Sequence, residues 1–263
     1  MTEYYTLITG SSSGIGRALA IECAKQKMNV LLVALPGTKL KELSDHLQKT
    51  YNVITDYYFI DLTHENAPYE IFEWTIKNRY NIDILINNAG ISCEGPFEKF
   101  DSSFYENIMR LNMVVLVLLS RLFIPELLKQ PKSHILNMGS IASYFPMPYK
   151  AVYGSSKMFV YSFSRALREE LKASSVQVSI VCPGPVVTNI HTAQSAQHKG
   201  KLARLMHMKA SYVAEYTMKR MLKGKIIIRP GFLSKVVYYA EKFIPQSIKQ
   251  KLVTKIFLTN NRT

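Results

Sequence analysis

Tyr153 and Lys157 stand four residues apart in Tyr153-Gly-Ser-Ser-Lys157. On a helix that spacing puts a phenol and an ammonium on one face. The pair suits proton transfer at a carbonyl or a secondary alcohol. Reducing a carbonyl needs a proton donor beside the hydride acceptor, and a free phenol, with a pKa of about 10, is a poor base for the reverse step near neutrality. A neighbouring cation stabilises the phenolate and lowers that pKa.

The spacing alone carries little weight. Among 263 residues, 16 are Tyr and 23 are Lys. About 1.4 such pairs then arise by chance, and a second does occur, Tyr238 with Lys242. Context separates the two. Ser140 precedes Tyr153 by thirteen residues and lies just past the strand-like run at 134–138. Its hydroxyl can therefore reach both a substrate oxygen and the phenol at the mouth of one cleft. Tyr238 and Lys242 lie in a basic tail and read as ordinary helix surface.

A second constellation is Thr9-Gly10-Ser11-Ser12-Ser13-Gly14-Ile15-Gly16. It follows a strand-like segment and opens a helical one. Glycines there let the chain turn sharply and bring backbone N–H groups close to a pyrophosphate. A purely structural Gly/Ser turn is the alternative.

These residues need a frame. Short aliphatic runs at 6–9, 29–34, 54–60, 83–87, 134–138, 176–182 and 225–229 alternate with amphipathic stretches at 14–27, 38–50, 65–80, 103–129, 153–173 and 211–223. Strands apolar on both faces and separated by helices predict an α/β fold, a doubly wound, Rossmann-like parallel sheet with helices on both faces and a C-terminal helical extension. Its ligand site belongs at the carboxyl ends of the strands. The domain reading is 1–231 for the catalytic unit and 232–263 for the extension. The apolar run Leu111–Pro125 is shorter than the roughly 20 residues of a bilayer span, and reads as a core or interface helix.

Composition narrows the classes further. Hydrophobic residues make up 48% and charged residues 20%, which excludes a disordered or collagen-like chain. Cys23, Cys93 and Cys182 are odd in number and far apart, so no disulfide framework and no metal site are expected, and a reducing, cytoplasmic setting fits. The N-terminus carries Glu3 and no basic segment leading into an apolar one, so no signal peptide is expected. The net charge is +14, but residues 1–198 hold 18 basic and 17 acidic residues, while residues 199–263 hold 15 basic residues against Glu215 and Glu241 alone. The basicity belongs to the tail, and nothing in the neutral part reads as nucleic-acid binding.

In register, these motifs resemble the short-chain dehydrogenase/reductase family. The resemblance implies an NAD(P)-dependent oxidoreductase that passes a hydride between nicotinamide and a carbonyl or secondary alcohol. Tyr153 would be the acid or base, Lys157 would tune it and hold the ribose, and Ser140 would position the oxygen. Asn112 would order a water in a proton relay, a plain structural hydrogen bond being its alternative. Gly10, Ser12, Ser13, Gly14, Ile15 and Gly16 would form the cofactor loop. Asp61, beside Leu62, would meet the adenine amine, and Asn88, Ala89 and Gly90 after Asn87 would brace the sheet by the adenine ribose. Pro183, Gly184, Val186 and Thr188 would grip the carboxamide.

Two features depart from the family or lie beyond it. At Val33-Ala34-Leu35-Pro36-Gly37-Thr38-Lys39 neither the usual NAD-type Asp nor the NADP-type Arg appears. Without the acid no group repels a 2′-phosphate, which favours NADP over NAD, with Thr38 and Lys39 to greet the phosphate, unless Lys39 is only a solvated first turn. Phe97, Tyr144, Phe145, Met147 and Tyr149, with Met206 and Met208 as a lid, suggest a pocket for an apolar ketone or acyl-type substrate, or else simple packing. A non-catalytic cofactor-binding regulator is the alternative function, and a nucleotide-sugar epimerase would favour a longer chain. Val114, Val117, Leu118, Phe159 and Phe163 predict a homodimer or homotetramer.

The tail holds two apolar stripes at helical spacing. Leu233, Val236, Val237, Ala240, Phe243 and Ile244 form the first, with Lys235 and Lys242 outside it. After Pro245 follow Ile248, Leu252, Val253, Ile256 and Phe257 against Lys249, Lys251 and Lys255. Either both pack on the enzyme, or residues 232–258 touch anionic membrane peripherally.

Overall fold

The computed structural model describes residues 3–187 and 207–243. Thr188, Met206 and the second stripe of the tail lie outside them. Seven strands form one parallel sheet: β1 (Tyr4–Thr9), β2 (Asn29–Ala34), β3 (Thr55–Phe59), β4 (Asn81–Asn87), β5 (Ser133–Met138), β6 (Val176–Val181) and the short edge strand β9 (Ile227–Ile228). Their order is β3-β2-β1-β4-β5-β6-β9. A two-stranded pair, β7 (Val186–Val187) with β8 (Met208–Lys209), stands apart.

Strand alternation explains the layers. β2 sends Val30, Leu32 and Ala34 into one core and Leu31 and Val33 into the other. The first core is closed by α1 (Gly14–Lys25), α2 (Leu40–Tyr51) and α7 (Ala210–Met221), through residues such as Leu19, Leu43 and Met218. The second is closed by α3 (Ala67–Lys77) and α5 (Val115–Leu128), with Ile71, Leu119 and Phe123 buried. α6 (Ala151–Glu170) packs beside them on β6. The doubly wound architecture predicted from periodicity is the one present.

The helix around Leu111–Pro125 is longer than that apolar run. α4 (Ser102–Met109) continues through a single π-type turn, Arg110–Val114, into α5. By length and composition the whole of Ser102–Leu128 passes for a membrane span. Here Val115, Leu119, Phe123 and Leu127 are buried against the sheet, while Met109, Val114 and Leu128 are exposed, so one face belongs to the core and the other stays open.

The last described helix is α8 (Gly231–Phe243). Val237 and Tyr238 pack on a third small core with Tyr144, Val160 and Cys182, and Leu233 and Ser234 lie against Gly184. Tyr238 is thus a half-buried packing residue and not the plain surface residue expected: Arg229 places its guanidinium carbon 3.9 Å from the ring centroid. The predicted stripe also splits, because Leu233 and Val237 turn inward while Val236 and Phe243 are exposed.

Candidate active site

The carboxyl ends of β1, β4, β5 and β6 gather the predicted residues on one edge of the sheet. At β1, Gly10 and Gly14 have positive φ, +64° and +54°, which glycine alone adopts readily. The turn is locked to the segment after β4. Asn88 Nδ2 donates to the Thr9 and Gly10 carbonyls at 2.9 and 3.1 Å, and the Thr9 hydroxyl accepts from the Asn88 and Ala89 N–H groups, both at 3.1 Å. A methyl on Gly16 would collide with the Gly10 carbonyl and Asn88. Two of the glycines therefore serve close packing between β1 and β4, as the structural alternative expected.

The same turn also suits an anion. Ser13 stands at the N-cap of α1 without a side-chain cap bond, and the first turn has no acidic residue. The leading N–H groups of the helix are left for a ligand. Ser12, Ser13 and Gly14 line a cleft of ≈ 460 Å³ with Arg17, Lys25 and the start of α7.

Asn112 sits in the π-type turn, buried. Its Oδ1 accepts from Ile91 N–H at 3.0 Å, and its Nδ2 donates to the Ile91 carbonyl and to Ser156 Oγ, each at 3.0 Å. Ser156 in turn donates to the Tyr153 carbonyl at 2.7 Å. That side chain clamps the loop after β4 to the first turn of α6 and keeps no donor for a water. The amide thus makes the structural hydrogen bonds given as its alternative, and a relay water could still donate to its Oδ1.

The catalytic candidates meet between β5 and α6. Ser140 caps a short turn, Ile141–Ser143, its Oγ accepting from Ala142 N–H at 3.1 Å. Its hydroxyl stands near enough to the Tyr153 phenol to pull the phenol pKa down, while the larger effect of burial pushes it up. Lys157 is only 5% exposed. Its Nζ donates to the Met138 carbonyl at 2.9 Å and lies 5.9 Å from the Tyr153 ring centroid. Loss of water brings its pKa down to about 8. Gly90 completes the group, since a methyl there would stand 2.9 Å from Asn112 Oδ1 and 3.4 Å from Lys157 Nζ. The expected lowering of the Tyr153 pKa by Lys157 is not what dominates here; desolvation does.

Other expected residues fall in place or out of it. Pro183 accepts from Ile141 N–H at 3.0 Å, tying its segment to the Ser140 turn, and Val186 pairs with Met208. Asp61 spends Oδ1 on the Thr63 N–H and hydroxyl, at 2.9 and 2.8 Å. Leu62 is buried in the second core and Ile15 packs on the first. Thr38 donates its hydroxyl to the Leu35 carbonyl at 2.8 Å, beside exposed Lys39. Tyr144 is buried against Tyr161 and Tyr238, which removes it from the predicted pocket wall. Phe97 stacks on Tyr105 at 4.9 Å, outside the protein core.

Sequence spacing missed a supporting ladder. Asn87 Nδ2 donates to Asn137 Oδ1 at 2.9 Å and to Ser120 Oγ at 3.2 Å, and Asn137 Nδ2 donates to Ser164 Oγ at 2.9 Å. These bonds join α5, β4, β5 and α6 beneath the site. The one available signal was a polar residue inside each otherwise apolar run.

A parallel sheet with a glycine turn and a Ser–Tyr–Lys group on its carboxyl edge defines an oxidoreductase of the dinucleotide-fold type. The chain belongs to the short-chain dehydrogenase family, whose sequence profile matches residues 5–199. An uncharacterized oxidoreductase of Staphylococcus saprophyticus is 29% identical over 72% of this chain and 80% of its own length. The very-long-chain 3-oxoacyl-CoA reductase of Bos taurus is 30% identical over 71% of this chain, and that of Mycosarcoma maydis 33% over the same share. The match spans only 60% and 54% of those two reductases. Among solved structures, a 7β-hydroxysteroid dehydrogenase superposes with a TM-score of 0.85 at 18% identity, covering 95% of this chain and 96% of its own. A short-chain dehydrogenase from Sphingobium yanoikuyae, in complex with NADPH, gives 0.79 at 25% identity, covering 96% and 95%.

Proposed function

We propose that this chain is an NADP-dependent carbonyl reductase, reversible to alcohol oxidation, acting on an apolar ketone or a 3-oxoacyl-type substrate. The observation that carries the reading is the Tyr153 phenol near the Ser140 hydroxyl, with buried Lys157 placing its Nζ 5.9 Å from the Tyr153 ring centroid and on the Met138 carbonyl. The uncapped start of α1, the absence of an acid in its first turn, and the lack of an acid at Leu35–Lys39 fit a diphosphate and a 2′-phosphate. The NADPH complex of the Sphingobium relative and the 3-oxoacyl-CoA reductases support cofactor and substrate class.

Bound cofactor supplies the hydride to the carbonyl carbon. Ser140 Oγ accepts from Ala142 N–H, so its own proton stays free to donate to the substrate oxygen or to the nearby phenol. The phenol O–H then points to the substrate oxygen and gives up its proton as the alcohol forms. A raised phenol pKa suits that direction, because the group is protonated and ready to donate. Lys157 spends one donor on Met138 and keeps two for the ribose hydroxyls. Asn112 and Gly90 hold the loop and helix in place around it.

The same reading gives a homodimer or homotetramer through the α4–α6 face, where Met109, Val114, Met158 and Phe159 are exposed. Light scattering reads that mass directly. On this proposal the protein works in the cytoplasm, in keeping with its three free cysteines, and touches anionic membrane peripherally through residues 232–258, in keeping with the charge of that tail. The function is tested by following NADPH and NADH absorbance against aliphatic ketones, 3-oxoacyl thioesters, sugars and steroids. Oxidation of NADPH with an apolar ketone or thioester is expected. Reduction of sugars alone would overturn the substrate class, and no turnover with any of them would overturn the enzyme reading.

A further inference from the structure

α8 has two faces, and both are apolar. Its inner face holds Leu233, Ser234, Val237 and Tyr238 against Gly184 and the core around Tyr144. Its outer face presents Phe232, Val236, Tyr239 and Phe243. At ~100° per residue these four fall within about 60° of one another, one unbroken stripe along the helix. Phe232 at 82% and Phe243 at 75% are the most exposed large apolar side chains among the described residues. Lys235, also exposed, flanks the stripe about 60° to one side. A helix already docked by one face has no need of a second apolar stripe, so the outer one calls for an occupant.

Charge identifies that occupant. After residue 198 the only acids are Glu215 and Glu241, against 15 basic residues. A second copy of this chain carries the same basic excess over this stretch of sequence and offers only the same two acids to pair with it. An anionic lipid surface is complementary in both respects: it takes phenyl and phenol rings at the headgroup boundary and lysines at the phosphates.

We propose that the outer stripe of α8 is a bilayer-docking face for anionic lipid. The proposal rests on the peripheral-membrane reading above and gives it an address: Phe232, Val236, Tyr239 and Phe243 enter the interface, and Lys235 meets the headgroups. Because Leu233 and Ser234 touch Gly184, only the thickness of one helix, about 10 Å, separates the lipid from the segment next to the catalytic turn. An apolar substrate dissolved in the bilayer would reach the cleft by a short path.

The test is co-sedimentation of the full chain with phosphatidylcholine vesicles, with and without phosphatidylserine, beside the Phe232→Ser/Phe243→Ser double variant. The wild type should pellet with the anionic vesicles and be released by salt. Each phenyl group withdrawn should weaken partitioning about tenfold, so the double variant should lose about a hundredfold. Its NADPH oxidation with a water-soluble ketone should stay at the wild-type level, which shows that it is folded. Wild-type protein that stays in the supernatant everywhere would overturn the membrane reading as a whole. A double variant that pellets as well as wild type would leave that reading standing and overturn α8 as its address, shifting it to residues 244–258. A fall in oligomer mass in the double variant would mark the stripe as a subunit contact and overturn the proposal too.

Discussion

On α6, the Tyr153 phenol lies near the Ser140 hydroxyl, and Lys157 is buried with its Nζ 5.9 Å from the Tyr153 ring centroid and on the Met138 carbonyl. On α8, Tyr238 stands at the same spacing from Lys242, yet its ring lies under Arg229 and edge-on to Tyr144, 5.5 Å away. One spacing thus occurs in two settings. What distinguishes the first is its surroundings: a strand end that supplies a carbonyl, a capped turn that supplies a hydroxyl, and a glycine that lets the neighbouring loop come close. Removal of water then tunes the charges. The second setting offers cation–π and ring contacts, which hold a helix down but move no proton.

The comparison breaks most visibly by removing one oxygen from each pair. Tyr153→Phe should lower kcat by about 10²–10⁴-fold while cofactor binding persists. Tyr238→Phe should leave kcat unchanged, and its stability within about 0.5 kcal/mol in urea melts. Equal behaviour of the two variants would move the active helix elsewhere.

A gentler perturbation is Gly90→Ala. The added methyl meets Asn112 Oδ1 at 2.9 Å and reaches ordinary contact with Lys157 Nζ at 3.4 Å, so the loop or the Asn112 amide must shift by a few tenths of an ångström. A fall of about tenfold in kcat is expected, with the far-ultraviolet circular dichroism preserved. Unchanged turnover would show that the packing of this loop on Asn112 is not critical.

The smallest effect is in stability against pH. The folded pKa of Lys157 is about 8, below the ordinary 10.5. Below about pH 8 both states carry the proton and the buried charge costs stability. Between these two values the unfolded chain holds the proton and the folded chain does not, so this group makes stability rise with pH there. Lys157→Met should remove that contribution. Urea midpoints with the same pH dependence in both proteins would assign the titration to another group.

Much of this was legible from local pattern. Six of the seven strands and both helical layers follow from runs of Val, Ile and Leu punctuated by polar turns, because burial on two faces leaves a plain mark on a strand. β3 (Thr55–Phe59) is aromatic and only partly buried. The pair Tyr153 and Lys157 stood out once Ser140 and the Gly10–Gly16 turn gave it a setting. What escaped are bonds between residues far apart in sequence. Asn137 looks like a misplaced polar residue in a strand until Asn87 and Ser164 are seen on either side of it. The two faces of α8 were blurred together for a related reason: apolar residues surround most of that helix, and periodicity alone cannot say which stripe the rest of the protein covers.

The bonds that lock Thr9 to Asn88 and Ala89 have a kinetic consequence. They join chain segments some eighty residues apart, at the seam where β1 is flanked by β2 on one side and β4 on the other. Closing so long a loop costs entropy before any contact repays it, and parallel pairing offers no hairpin shortcut. Helices form early in refolding, but the seam closes late, and the glycine turn takes its shape only when it does. The return of activity after dilution from denaturant should therefore trail the return of helical circular dichroism, making catalysis itself a clock for the final step of folding.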